Sequence, residues 1–483
     1  MRTLIFSLLI SFFSCIFSLP VESQVASSQA IQDLLNDEAL KSASVGVYAY
    51  NLSKEERVLS YNPNKALIPA SIQKLVTTAS AYIELGADHK FETYLAYQGD
   101  IDKEGILEGD VVIIGGGDPT LGSSHFGKNK RSLFMNKWAK KLKNKGIKEV
   151  NGQIVVDASL FDKHVTPKTW IWGDIGNYFG AFPSSLSIYD NAYKVYFDSR
   201  VPLKKTVNIS RIEPELSGIE IQNQVKAYQK NKDNAYFYSA PYSEKVYMDG
   251  EIPVDREEFI VKGAIQNPPK IFINNFEKVL KDHDITFNKE NTKVHYNPVL
   301  SEDQPHFLDT VYSPPLRRII KKTNHKSINL FAEHLLLHAM GKENIEDGAK
   351  ALKEYWQKKD VLSKSANIKD GSGLSRYNSI SVKNICNVLK YMKDDEKYSS
   401  FKTTLPVMGQ TGTLSNTAKG TLAEGKINAK SGYMERVRSY AGYGKNKKGE
   451  DIVFTIIVNN YSCSAYEMKK KLVPFMVSLV GGG

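Results

Sequence analysis

Cysteine is nearly absent. The 483 residues hold three, and one of them, Cys15, lies in an apolar leader. The other two, Cys386 and Cys463, leave two readings open: one disulfide in an exported chain, or two small buried apolar side chains. A disulfide-built scaffold is excluded by so low a count. There is no CxxC pair and no Cys/His cluster, so no metal site is marked. His334 and His338 share a helix face, but no HExxH and no third ligand accompany them; packing or solvent exposure explains them better. Gly122–Lys128 approaches a phosphate-binding loop, yet Asn129 stands where a Ser or Thr would hold Mg²⁺. No internal repeat is visible. Beyond the leader, no apolar run is long enough to cross a bilayer.

The leader itself is clear. Met1-Arg2 precedes an uncharged apolar stretch, Thr3 to Leu19, and small or polar residues follow at Ser23, Ala26 and Ser28. This is the layout of a secretory signal peptide over residues 1–25, with an uncleaved anchor as the alternative. Phe12-Phe13-Ser14 before Cys15 is a poor context for lipoprotein processing. Charged residues make up 24% and hydrophobic residues 41% of the chain, which excludes wholesale disorder. The net charge of +11 suits an anionic wall or membrane surface; export argues against nucleic acid. The length leaves room for more than one domain.

Ser44 to Leu52 alternates like a strand, Ser53–Glu56 turns, and Arg57 to Tyr61 returns. Ile68 to Ala79 then predicts the entrance of a helix, with Pro69 near its start and Gly86 at its end. Ser71 and Lys74 stand three apart on that helix, so they share a face. A hydroxyl beside an amine is the minimum kit for nucleophilic acyl transfer. Alone the pair is weak, because Ser399 and Lys402 repeat the spacing and Ser71 would also serve as a helix cap. Two further elements raise its value. Ser327-Ile328-Asn329 opens a helix predicted to run to Met340. Lys430-Ser431-Gly432, followed by Tyr433, falls on a predicted strand and is the one Lys-Ser/Thr-Gly in the chain. Further strands are predicted at Arg438–Tyr443 and Asp451–Val458, with a closing helix over Ala465–Val480. The stretch from Lys194 to Phe287 reads as short strands with polar turns.

Their order, Ser-x-x-Lys, Ser-x-Asn, Lys-Ser-Gly, is the triple of penicillin-binding proteins and serine β-lactamases. The chemistry of these residue types is coherent. Burial and a second cation, Lys430, would make Lys74 a base for Ser71. Ser327 would relay a proton to the leaving amine. Asn329 would hold the substrate amide and Lys74. Lys430 and Ser431 would bind a carboxylate, and the N–H groups of Ser71 and Tyr433 would form an oxyanion hole.

Segments outside the triple narrow the match: Gly115–Leu121, Gly152–Ser159, Tyr178–Leu186, Ser327–Glu333, Asp370–Arg376 and Gly412–Leu414. With them the chain resembles the D-alanyl-D-alanine carboxypeptidase/endopeptidase family, the class C low-molecular-mass penicillin-binding proteins (S13 peptidases). The resemblance spans most of the mature chain. The 252 residues between Lys74 and Ser327 fit it, since this family carries large extra domains there. Ser431 stands where the family usually has Thr, which keeps the hydroxyl, and Ile328 replaces a polar residue. The resemblance implies an α/β (α+β) penicillin-binding/serine β-lactamase-like fold with a central antiparallel sheet flanked by helices. It places the peptidase domain at 26–90 and 300–483, split by a mostly β insertion at 91–299. It implies an exported or periplasmic hydrolase of peptidoglycan peptides that binds β-lactams and needs no cofactor. Two rivals share the triple. A serine β-lactamase is disfavoured by the long insertion and the lack of a Glu-bearing deacylation loop. A non-catalytic wall-binding scaffold is disfavoured by the intact triple.

Overall fold

A computed structural model describes residues 29–127, 133–299, 305–394 and 398–481. The expected leader, with Cys15, lies outside these residues. Among them no helix is long and apolar enough to cross a membrane.

Both ends of the chain build one sheet. Its five antiparallel strands run, in spatial order, Glu56–Tyr61, Ser44–Asn51, Asp451–Asn459, Val437–Lys445 and Ile427–Met434. The strand at Asp451–Asn459 is buried almost throughout, and it reads as a continuous apolar run because both sheet faces are covered. Val453 and Ile457 face a core that includes Leu75, Ile320, Leu335 and Trp356. Ile452, Phe454, Ile456 and Val458 face the other, with Leu34, Met468 and Phe475. Helices thus cover both sides of the sheet. The helix Asn329–Met340 is buried over Leu330–Leu337, as an all-round apolar helix should be, and packs on the helix Gln73–Leu85.

The central part of the chain forms separate sheets. One has the order Thr292–His295, Ile154–Asp157, Val111–Ile114, Glu92–Tyr97, His306–Tyr312, parallel across its first three strands and antiparallel across the rest. Its last strand lies beyond residue 300 and pairs with Glu92–Tyr97, more than 200 residues earlier in the chain. A second group, centred on the antiparallel strands Asn208–Glu213, Ala192–Asp198 and Phe259–Ala264, has its own small core.

Three local expectations change. The stretch expected to be all strands contains the helix Pro268–Asp282, capped by the Asn267 side chain on the Lys270 N–H. Its apolar residues, Ile271, Phe272, Phe276 and Leu280, cover one face, while the run Ile271-Phe272-Ile273 imitates a strand. The closing helix is two helices, Ala465–Lys471 and Val473–Gly481, because Pro474 has no N–H with which to continue the first. Ser327 lies outside the helix it was expected to open: it is left-handed, φ 57°, and caps Leu316–Lys326. Cys386 and Cys463 are both free thiols. Cys386 is buried, its Sγ 3.2 Å from Thr455 Oγ1. His334 and His338 are packed inside, bonded to Ser187 Oγ at 2.9 Å and Gly117 O at 3.0 Å.

Leu335 is fully buried between the helix layer and the sheet. Leu335→Ala is expected to cost about 2–5 kcal/mol, read as a lower urea midpoint at unchanged slope.

Candidate active site

The nucleophile candidate sits on a tight turn. Ala70–Ile72 form one turn of 3-10 helix, and Ala70 is left-handed at φ 50°. The α-helix Gln73–Leu85 follows directly. Ser71 is therefore presented just ahead of the α-helix, and Lys74 reaches back from its first turn. Lys74 Nζ lies 3.1 Å from Ser71 Oγ, 2.6 Å from Asn329 Oδ1 and 2.6 Å from the Ser372 carbonyl.

Asn329 Oδ1 and the Ser372 carbonyl accept only, so each takes one Lys74 hydrogen. The third position of the nitrogen faces Ser71 Oγ: an ammonium donates to the hydroxyl there, and a neutral amine offers it a lone pair. Burial pushes Lys74 down to about 7, although the Glu333 and Asp370 carboxylates pull it upward. Lys430 is also fully buried. Its ammonium is held well below the usual lysine range by burial, then by Lys74, then by Arg438. Burial is the larger cause at both amines, and the repulsion between them is mutual, so each disfavours charge on the other.

Lys430 Nζ donates to Ser327 Oγ at 2.9 Å and to the Ser431 carbonyl at 2.6 Å. The first contact pins a non-glycine residue in the left-handed region, a conformation that costs of order 1–3 kcal/mol and gathers at functional sites. Ser431 Oγ donates to Thr413 Oγ1 at 2.8 Å, which places two hydroxyls beside the buried amine. Gly432 lets the edge strand approach the Ser71 turn. A Cβ there would stand 2.2 Å from Ser439 Oγ, 2.7 Å from the Pro69 carbonyl and 3.1 Å from Ser71 N. Ser439 Oγ ties the next strand to that same Pro69 carbonyl at 2.6 Å. Tyr433 is 55% exposed and borders the cleft with Ser71, Ser327 and Asn329. Of the eight residues singled out from the sequence, Ser71, Ser327, Asn329 and Tyr433 line the cleft, Lys74 and Lys430 are buried against them, and Ser431 and Gly432 adjoin them on the edge strand. Lys402 does not join them: it lies 3.4 Å from Asp451.

Other residues of the site were not assigned roles beforehand. Glu333, one turn after Asn329, is fully buried and accepts the N–H groups of Gly371 and Ser372, both at 2.8 Å. Burial and the neighbouring Asp370 push its carboxyl up to about 8, against those two N–H groups. Asp370 accepts from Gly373 N, Ser375 N and Asn378 Nδ2 within its own loop, and from Trp170 Nε1 at 2.8 Å. This loop carries the carbonyl that holds Lys74. Gly373, at φ +78°, passes so close to Ala70 that a Cβ would stand 2.1 Å from its carbonyl oxygen. The signal was present in Asp370–Arg376, but only as a segment without a stated part. The Trp170–Phe182 aromatics divide in use. Trp170 and Phe182 join the core, whereas Tyr178 and Phe179 wall the cleft with Asp174. The Phe179 carbonyl also accepts from Asn329 Nδ2 at 2.7 Å.

A family model described as the D-Ala-D-Ala carboxypeptidase 3 (S13) family matches residues 27–478. A D-alanyl-D-alanine carboxypeptidase DacB of Haemophilus influenzae is 27% identical over 481 residues, 95% of this chain and 93% of that protein. A D-alanyl-D-alanine carboxypeptidase of Actinomadura sp. strain R39 is 26% identical over 450 residues, 89% of this chain and 80% of that protein. The crystal structure of penicillin binding protein 4 (dacB) from Haemophilus influenzae superposes with a TM-score of 0.79 at 27% identity, covering 93% of this chain and 98% of that one. The fold expected from the sequence, a penicillin-binding α/β domain, is the fold observed.

Gly432→Ala is expected to slow acylation by a labelled penicillin about 100-fold, since a misplacement near 1 Å costs that much. Urea unfolding of the same variant checks that the fold survives.

Proposed function

The chain belongs to the D-Ala-D-Ala carboxypeptidase 3 (S13) family, and we propose that it hydrolyses peptidoglycan stem peptides through an acyl-enzyme on Ser71. The observation that carries this reading is the Lys74 amine, 3.1 Å from Ser71 Oγ, with its two other contacts taken by acceptors. Lys74 takes the Ser71 proton as Oγ attacks the carbonyl of the penultimate D-alanine. The oxyanion settles between the N–H groups of Ser71 and Tyr433, where fixed donors stabilise developing charge. The carboxylate beyond the scissile bond is held by Lys430 and Ser431. Asn329 orients the substrate amide. The proton passes by way of Ser327 to the amine, the C–N bond breaks, and the leaving residue departs. Water then attacks the ester, returning the proton to Ser71. A β-lactam presents the same carbonyl and carboxylate and leaves Ser71 acylated.

In the same reading, residues 26–90 and 300–483 form the peptidase unit, and 91–299 form the inserted unit together with the strand at His306–Tyr312. The leader at residues 1–25 supports export to the cell envelope, where the substrate lies.

Incubation with labelled penicillin, followed by peptide mass spectrometry, is expected to place one adduct on the peptide containing Ser71 and none on Ser71→Ala. A folded wild-type chain without that adduct overturns the mechanism. Because Lys74 acts as the free amine, with burial setting it near 7, the acylation rate is expected to fall about tenfold per pH unit below that value and to level off above it. A rate flat from pH 5 to 8 would argue for a different base.

A further inference from the structure

Past Ser327, away from the Tyr433 end of the cleft, lies a second cavity. Ser327 and Asn329 line its mouth, and Tyr178 and Phe179 separate it from the first. Its remaining wall includes Ser124, His125, Asp190, Lys194, Lys262 and Lys326. Three ammonium groups therefore face a space with one carboxylate. Lys322 is close enough to act with Lys262 and Lys326 on His125, which burial and these cations hold below its usual range despite Asp190. None of the four lysines makes an ion pair with another described residue, although Glu213, opposite Lys194 on the neighbouring strand, feels its charge. Lys262 instead stands 5.6 Å over the Tyr178 ring. The single carboxylate is already engaged: Asp190 accepts from Ser123 Oγ, and from Ser124 N at 3.2 Å and Ser124 Oγ at 2.9 Å.

The wall is also held in a costly shape. Tyr189, Asp190 and Asn191 are three consecutive non-glycine residues at φ 57°, 63° and 44°. Such backbone persists only where its surroundings enforce it. Here the enforcing contacts are those of Asn191, which donates to the Phe182 carbonyl and Ser187 Oγ and accepts from Ile188 N, all at 2.9 Å.

The mechanism proposed above sets a direction for the substrate: the oxyanion hole puts the acyl part toward Tyr433, and the proton relay puts the leaving amine toward Ser327. On that reading a free D-alanine is short and ends at Lys430 and Ser431, whose hydroxyl bonds Thr413. A cross-linked substrate differs only on that side: its leaving amine belongs to a second peptide strand that bears free carboxylates. We propose that the cavity lined by Lys194, Lys262 and Lys326 is a leaving-side subsite for the carboxylates of that second strand. The inference rests on the function proposed above. The reaction is unchanged: the amide C–N bond breaks, the Ser71 ester forms, the amine takes the proton, and water supplies the hydroxyl that frees the acid.

The test uses the full chain and two substrates: a monomeric peptide ending in D-Ala-D-Ala, and a D-alanyl cross-linked dimer of stem peptides. For the double variant Lys194→Gln/Lys262→Gln, kcat/KM on the dimer is expected to fall about tenfold or more, as for lost hydrogen bonds to charged groups. Its D-alanine release from the monomer and its penicillin acylation are expected to stay within about twofold of wild type, which also shows that it has folded. Equal losses on both substrates, no loss on the dimer, or a wild-type chain that processes the monomer and leaves the dimer intact would each overturn the subsite. A wild-type chain that takes no penicillin and cleaves neither substrate overturns the underlying mechanism, and the subsite with it.

Discussion

Two lysine amines in one dry cavity cannot both hold a full charge cheaply. Lys74 and Lys430 are both completely buried, so the site depends on how the surroundings divide one or fewer protons between them. Two acidic groups, Glu333 and Asp370, lie on the Lys74 side, Glu333 with its proton held more tightly than usual, and Arg438 lies on the Lys430 side. That asymmetry keeps Lys74 near neutrality instead of far below it, so it remains basic enough to take a hydroxyl proton. A lysine buried without these acidic groups would be neutral but a feeble base. A lysine in water would be strong but already protonated. The site needs the intermediate condition, and a base works best when its pKa lies near the working pH.

The same balance explains why the site is assembled from distant parts of the chain. No single helix supplies burial, two acceptors, two carboxylates and a second cation. The turn Ala70–Ile72 brings the nucleophile, the helix Gln73–Leu85 brings the base, and Asn329–Met340 brings Asn329 and Glu333 one turn apart. The loop at Asp370–Asn378 brings the Ser372 carbonyl, and the edge strand Ile427–Met434 brings Lys430. The pieces close without gaps because Gly432 and Gly373 allow backbone to touch the Ser71 turn from two directions. A small side chain at either position would wedge apart the parts whose contact sets the charge.

Much of this was legible before any coordinates. Ser71, Lys74, Ser327, Asn329 and Lys430–Tyr433 carry residue types whose chemistry interlocks, and their order restricts the possible arrangements. The sheet strands were legible because Ser44–Asn51 alternates and Asp451–Asn459 is continuously apolar. What escaped was of a different kind. Glu333 reads as an ordinary helix carboxylate, since a sequence does not say that a position is dry. The left-handed Ser327 was hidden because nothing in Lys326-Ser327-Ile328 announces a break between two helices; tertiary contact with Lys430 holds it. The helix Pro268–Asp282 was hidden by three consecutive apolar residues that suit either periodicity. The pairing of His306–Tyr312 with Glu92–Tyr97 was hidden because the two strands lie more than 200 residues apart, and register across such a distance leaves no local mark.

The stretch between Lys74 and Ser327 has a closer tie to the chemistry than a wall around an entrance would need. Asn329 is an amide, and its two ends are chemically opposite. Lys74 only donates, so the oxygen end has to face it. The Phe179 carbonyl only accepts, and it takes the nitrogen end. Phe179 thereby fixes which way the amide points, and a flipped amide would set two donors against each other at the base. Trp170 acts similarly one step further back. It donates to Asp370, in the loop whose carbonyl is the other acceptor of Lys74. Both acceptors of Lys74, which leave its third position facing Ser71, are thus steadied by residues from the stretch between Lys74 and Ser327. Without Trp170 and Phe179 the nucleophile and the base would remain, but part of what aligns one with the other would be lost.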